Sequence, residues 1–72
     1  MPRRATWEEI EERQRVCFMD ATENIEGFIP AMTWGIVARR GKTLVRIQLD
    51  NGRFATVTTH DACPLSLAIE GA

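Results

Sequence analysis

Little in this chain announces a chemistry. It has one histidine and two cysteines, Cys17 and Cys63. A closed zinc site takes four nitrogen or sulfur ligands. The run His60-Asp61-Ala62-Cys63 sets a histidine and a cysteine three apart, with Cys17 as a third ligand, so Asp61 or a second subunit would have to complete the set. No metal or other cofactor is expected. A cysteine nucleophile needs a base within hydrogen-bond reach and a third group to orient that base. Nothing in the sequence points to such a pocket, and no enzymatic activity is expected. No apolar stretch approaches the roughly 20 residues that span a bilayer. The opening "MPRRATWEEIEER" places Arg3 and Arg4 before no apolar run, so it does not read as a secretory signal. Without one, free thiols in a reducing cytoplasm are expected. Repeats, low-complexity segments and linkers are also missing.

What remains is the composition of a soluble globular protein. The chain has 72 residues, 44% hydrophobic and 26% charged, and reads as one domain over residues 1–72. That size is near the lower limit for a core that is stable unaided, so a partner or a second copy of the chain would add to its stability. The net charge of −1 conceals two opposite halves. Residues 5–27 set seven acids against Arg13 and Arg15, a balance of −5. Residues 28–60 set Arg39, Arg40, Lys42, Arg46 and Arg53 against Asp50 alone, a balance of +4.

Thr6 and Glu9 have the spacing of a capping box, with further acids in the turns that follow and Arg13 and Arg15 beyond them. Trp7, Ile10, Gln14 and Cys17 fall on one stripe, so a helix is predicted over 6–18; "VCFM" could instead be a short strand, which leaves its end open. Trp7 and Trp34 are expected to pack this helix on a sheet. "DATENIEG" reads as a polar connection in which a short helical turn is possible. Pro30 restricts any strand at Phe28-Ile29 to a short or edge position.

From Met32 the pattern alternates, with Met32, Trp34, Ile36 and Ala38 on the predicted inner face. A two-residue turn at Gly41-Lys42 would pair Ala38 with Val45, Ile36 with Ile47 and Trp34 with Leu49. The next turn allows two registers. A two-residue turn at Asn51-Gly52 leaves Ala55 and Val57 outside. A three-residue loop at Asp50-Asn51-Gly52 pairs Val45 with Val57 and Ile47 with Ala55. A slip of one residue exchanges the faces of a strand, so burial selects the three-residue loop. A tight turn at Asp61–Pro64 and a closing strand with Leu65, Leu67 and Ile69 complete the pattern.

The expected fold is therefore mostly β: a small SH3-like barrel, or a truncated OB-like one, over about residues 28–70, with an N-terminal α-helix. The segment "GIVARRGKTLVRIQLDNGRFATV" resembles the first strands of bacterial initiation-factor-one type OB domains. It is similar as well to the hairpins of KOW-type and other SH3-like modules. The resemblance covers about 23 of 72 residues and consists of turn chemistry and alternation. Too few residues follow Thr59 for the last two long strands of an OB fold. The resemblance implies an association with nucleic acid or ribonucleoprotein.

The predicted outer face carries Val37, Arg39, Leu44, Arg46, Gln48, Phe54, Thr56 and Thr58. An aromatic ring among arginines offers stacking for a base and charge for a phosphate backbone. The same residue types anchor protein interfaces, and a third reading has the face covered by the helix or by residues 20–31. The candidate contact residues are Arg39, Arg40, Lys42, Arg46, Gln48, Arg53 and Phe54. The partner is nucleic acid, with RNA or single strands favoured, or a protein that this module serves as adaptor, inhibitor or mobile-element accessory. Self-association of the acidic and basic halves fits either reading.

Overall fold

In the computed structural model, residues 2–24, 26–58 and 67–70 are described. Eight strands lie among them: β1 (Pro2–Arg4), β2 (Arg15–Phe18), β3 (Thr22–Asn24), β4 (Gly27–Ile29), β5 (Thr33–Arg40), β6 (Leu44–Leu49), β7 (Phe54–Thr58) and β8 (Leu67–Glu70). Six form one antiparallel sheet in the order β1-β8-β2-β5-β6-β7, and β3 and β4 form a separate hairpin. The mostly-β expectation agrees with this; the closed barrel does not. Strand β8 seats between β1 and β2, on the side away from β7. It lengthens the sheet there instead of bridging back to β7, so the described sheet stays open.

The N-terminal α-helix predicted over 6–18 is also absent. The capping signal is real, since the Glu9 carboxylate accepts the Thr6 amide at 2.9 Å, yet it starts only a 3-10 turn at Trp7–Glu9. Ile10 then leaves in an extended conformation and Arg13 takes a φ of 71°. Glu9 also pairs with Arg3, tying the turn to β1. Burial decides against the helix. As a strand between β8 and β5, Val16, Cys17 and Phe18 are buried in succession on both faces of the sheet. Burying a Val or Phe side chain is worth roughly 1.5–3 kcal/mol, whereas helix propensity separates ordinary residues by only about 0.7 kcal/mol.

The first long hairpin forms in a register different from the predicted one. Its turn residues are Lys42 and Thr43, closed by the Gly41 amide donating to the Leu44 carbonyl at 2.7 Å. Arg40 pairs with Val45 and Arg39 with Arg46; a bulge at Ala38 then brings Val37 opposite Ile47 and Gly35 opposite Leu49. The faces are exchanged: Val37 is fully buried, while Ile36 is 45% exposed. Gly35 accounts for the alignment. A Cβ there would lie 2.7 Å from the Gln48 carbonyl oxygen and 2.8 Å from Ile47 Cγ2, so only glycine fits against β6. Trp34, Ile36 and Ala38 do share one face, but it is the outer one, and Met32 lies in the turn before β5 with a φ of 61°.

The second hairpin matches the expected alignment. Val45 pairs with Val57 and Ile47 with Ala55, and the loop is Asp50-Asn51-Gly52. Gly52 has a φ of 89°, and the Asn51 side chain accepts the Arg53 amide at 2.9 Å. Residues 22–24 form β3, with no helical turn, and β4 ends one residue before Pro30. One apolar cluster joins Val37, Val45, Ile47, Ala55 and Val57 to Val16, Phe18, Leu67 and Ile69. Ile10 enters it from the N-terminal loop and Ile29 from the β3–β4 hairpin, with Trp7 packed at its margin. The predicted turn at Asp61–Pro64, with His60 and Cys63, lies outside the described residues.

Candidate binding face

Alternation along β5, β6 and β7 sends one set of side chains into the core and the other onto the outer face of the sheet. Register sets the outer set in rows. Arg15 lies opposite Ile36, Ile36 opposite Gln48, and Gln48 opposite Phe54. In the next row Arg39 lies opposite Arg46, and Arg46 opposite Thr56. Leu44 and Thr58 form a third. The Arg46 guanidinium lies over the Phe54 ring, 4.4 Å from its centre, and leaves the ring half-buried. A shallow depression of about 200 Å³ opens between Arg39, Arg46, Leu44 and Thr56, with Arg40 and Gly41 at its end.

Two arginines directly opposed across a strand pair repel each other. Among the described residues no ion pair is formed by Arg39, while Glu26 approaches Arg46 at 3.8 Å. Its other carboxylate oxygen accepts the Thr56 hydroxyl at 2.7 Å. Further along the face, Arg15 donates two hydrogen bonds to Asp50, at 2.7 and 2.8 Å, and lies over Trp34. That pairing holds the Asp50 carboxyl below its ordinary range.

The seven predicted contact residues divide. Arg39, Arg46, Gln48 and Phe54 are gathered on the outer face, and Lys42 is exposed at the adjoining turn. Arg40 is turned inward. Its guanidinium donates to the carbonyls of Ile10 at 3.0 Å, Trp7 at 3.1 Å and Gly41, and it stacks on the Trp7 ring at 4.5 Å. It thus staples the N-terminal loop to β5. Arg53 donates to the Glu26 carbonyl at 2.6 Å and closes the tip of the β3–β4 hairpin. Gly27 beside it has a φ of 126°, a conformation that favours glycine, and a Cβ there would have to push the Arg53 guanidinium aside.

Sequence reasoning put Val37 on this face, but it lies in the core. The same reasoning missed Ile36, which the inward position of Gly35 would have placed. Glu26 was legible only as part of a polar connection. The covering helix does not exist; of residues 20–31, Glu26 reaches the face. Leu44 stays 44% exposed.

Among the described residues no three His, Cys, Asp or Glu side chains gather to hold a metal. Cys17 is fully buried. No helix among them is long and apolar enough to cross a membrane. No protein-family model, curated protein or solved structure matches the chain.

Proposed function

We propose that this chain is a small non-enzymatic binding module that contacts nucleic acid, with RNA or single strands favoured, through the outer face of β5, β6 and β7. The observation that carries the reading is the opposition of Arg39 and Arg46 beside Phe54. A phosphate between the two guanidinium groups would turn their repulsion into shared attraction. Phe54 and Gln48 then offer stacking and hydrogen bonding to a base, and Lys42 extends the positive track. Arg40 and Arg53 hold the fold together and make no contact with the ligand in this reading.

Three cations on a single strand imply a slope of log affinity against log salt of about −2. Affinity for a fluorescent single-stranded oligonucleotide should therefore fall roughly 20-fold between about 50 and 200 mM salt. Arg39→Gln should weaken binding and reduce the slope by almost one. Binding that ignores salt, or no binding at low salt, would defeat the proposal.

A protein partner is the second reading, favoured by the exposure of Ile36 and Leu44 at 45% and 44%. It requires a complex that Leu44→Asp disrupts and Arg39→Gln leaves intact. The reverse pattern returns the face to nucleic acid.

A further inference from the structure

An acid reaches onto the face that is otherwise built for an anion. Glu26 belongs to the tip of the β3–β4 hairpin, yet its carboxylate lies against β6 and β7. One oxygen accepts the Thr56 hydroxyl at 2.7 Å; the other is 3.8 Å from Arg46 Nη2, too far for a hydrogen bond. A hydroxyl and a guanidinium converging on a carboxylate are the donors that would also receive a phosphate oxygen. Thr56 and Arg46 border the depression that Arg39 enters from the opposite strand.

We propose that Thr56 and Arg46 form a phosphate subsite, and that in the free protein the Glu26 carboxylate holds the place of the phosphate. The inference rests on the nucleic-acid reading of the face and names one contact within it. Binding then requires the Glu26 side chain to swing away, and the protein carries its own competitor.

The tip of the hairpin is fixed through the Glu26 backbone carbonyl, which accepts Arg53 Nη2 at 2.6 Å, and its base through Ile29 in the core. A change of the Glu26 rotamer would leave both of these anchors in place. The loose contact with Arg46 also leaves that guanidinium able to draw a phosphate closer than it now holds the carboxylate.

Glu26→Gln tests this without breaking the hairpin, because the amide oxygen still accepts the Thr56 hydroxyl while the charge beside Arg46 is gone. Any acid removed from the protein strengthens polyanion binding slightly, so Glu8→Gln, in the exposed N-terminal turn, supplies the baseline. Titrations with a fluorescent single-stranded oligonucleotide at about 100 mM salt should show Glu26→Gln binding about five- to tenfold tighter than the native chain, and Glu8→Gln within about twofold of it. Unfolding curves of the two variants that overlay the native one would assign the gain to the site. If Glu26→Gln gains no more than Glu8→Gln while Arg39→Gln still weakens binding, the competitor is refuted and the binding face stands. If neither the native chain nor Glu26→Gln binds, both fall together.

Discussion

Val37 and Ile36 are neighbours in sequence, and the bulge at Ala38 decides which of them belongs to the core. Replacing each by alanine converts that geometry into a measurement. Val37 is fully buried, so Val37→Ala loses two methylene equivalents, about 1.6 kcal/mol of transfer free energy. Space between β5 and β6 that does not refill adds roughly 1 kcal/mol. The total, about 2.5 kcal/mol, lowers the unfolding temperature of a domain this small by roughly 10–20 °C. Ile36→Ala removes more atoms, but from a side chain 45% exposed on the outer face, where water enters the gap. Its cost should be about 1 kcal/mol. Ile36→Lys should fold, and Val37→Lys should not. Thermal and urea unfolding followed by circular dichroism would read these differences. An Ile36→Ala variant at least as destabilised as Val37→Ala would restore the pairing of Ile36 with Ile47 and invert the proposed face.

Glycine positions should separate in the same assay. Gly35→Ala drives a Cβ against the Gln48 carbonyl and should cost about 2–4 kcal/mol, whereas Gly52→Ala, with no atom within 4 Å, carries only the strain of its positive φ, about 1 kcal/mol. Equal costs would contradict the close strand approach at Gly35. Arg40→Met should lower the unfolding temperature and leave oligonucleotide affinity within about twofold, since its guanidinium serves the Ile10 and Trp7 carbonyls; a large loss of affinity would put Arg40 at the contact surface. Arg3 and the Thr6 amide hold the Glu9 carboxyl at about 2, against an ordinary 4.5. A folded value below the unfolded one stabilises fully above about pH 4.5 and is lost as pH falls towards 2. The unfolding temperature should therefore drop across that window, with a shallower drop in Glu9→Gln; parallel curves would remove the ion pair from the account.

The alternation of apolar residues was enough to read a mostly-β chain, and the second hairpin could be read to the residue. There, Val45, Ile47, Ala55 and Val57 have only one register that buries them all, and Asn51-Gly52 supplies the turn to match. For the first hairpin a single register was expected, and the structure has another. Pairing Trp34, Ile36 and Ala38 inward joins apolar to apolar at every step, but it ignores the close approach that only the glycine at 35 permits and has no place for the bulge at 38. At the N-terminus a true capping box competes with an apolar triplet, Val16-Cys17-Phe18, and the neighbours that reward the triplet come from β5 and from β8, about fifty residues further on. Local rules do not contain those partners. The site was legible to the same extent. Arg46, Gln48 and Phe54 sit where alternation puts them, while the inward turn of Arg40 and the reach of Glu26 depend on contacts about thirty residues away.

Chemical-shift mapping of the isotope-labelled protein with a short single-stranded RNA tests the binding face most directly. The predicted result is a contiguous set of amide changes at Arg39, Arg46, Gln48 and Phe54, with the Glu26 amide moving as its carboxylate leaves. Changes confined to the acidic N-terminal turn, or no changes at low salt, would contradict it.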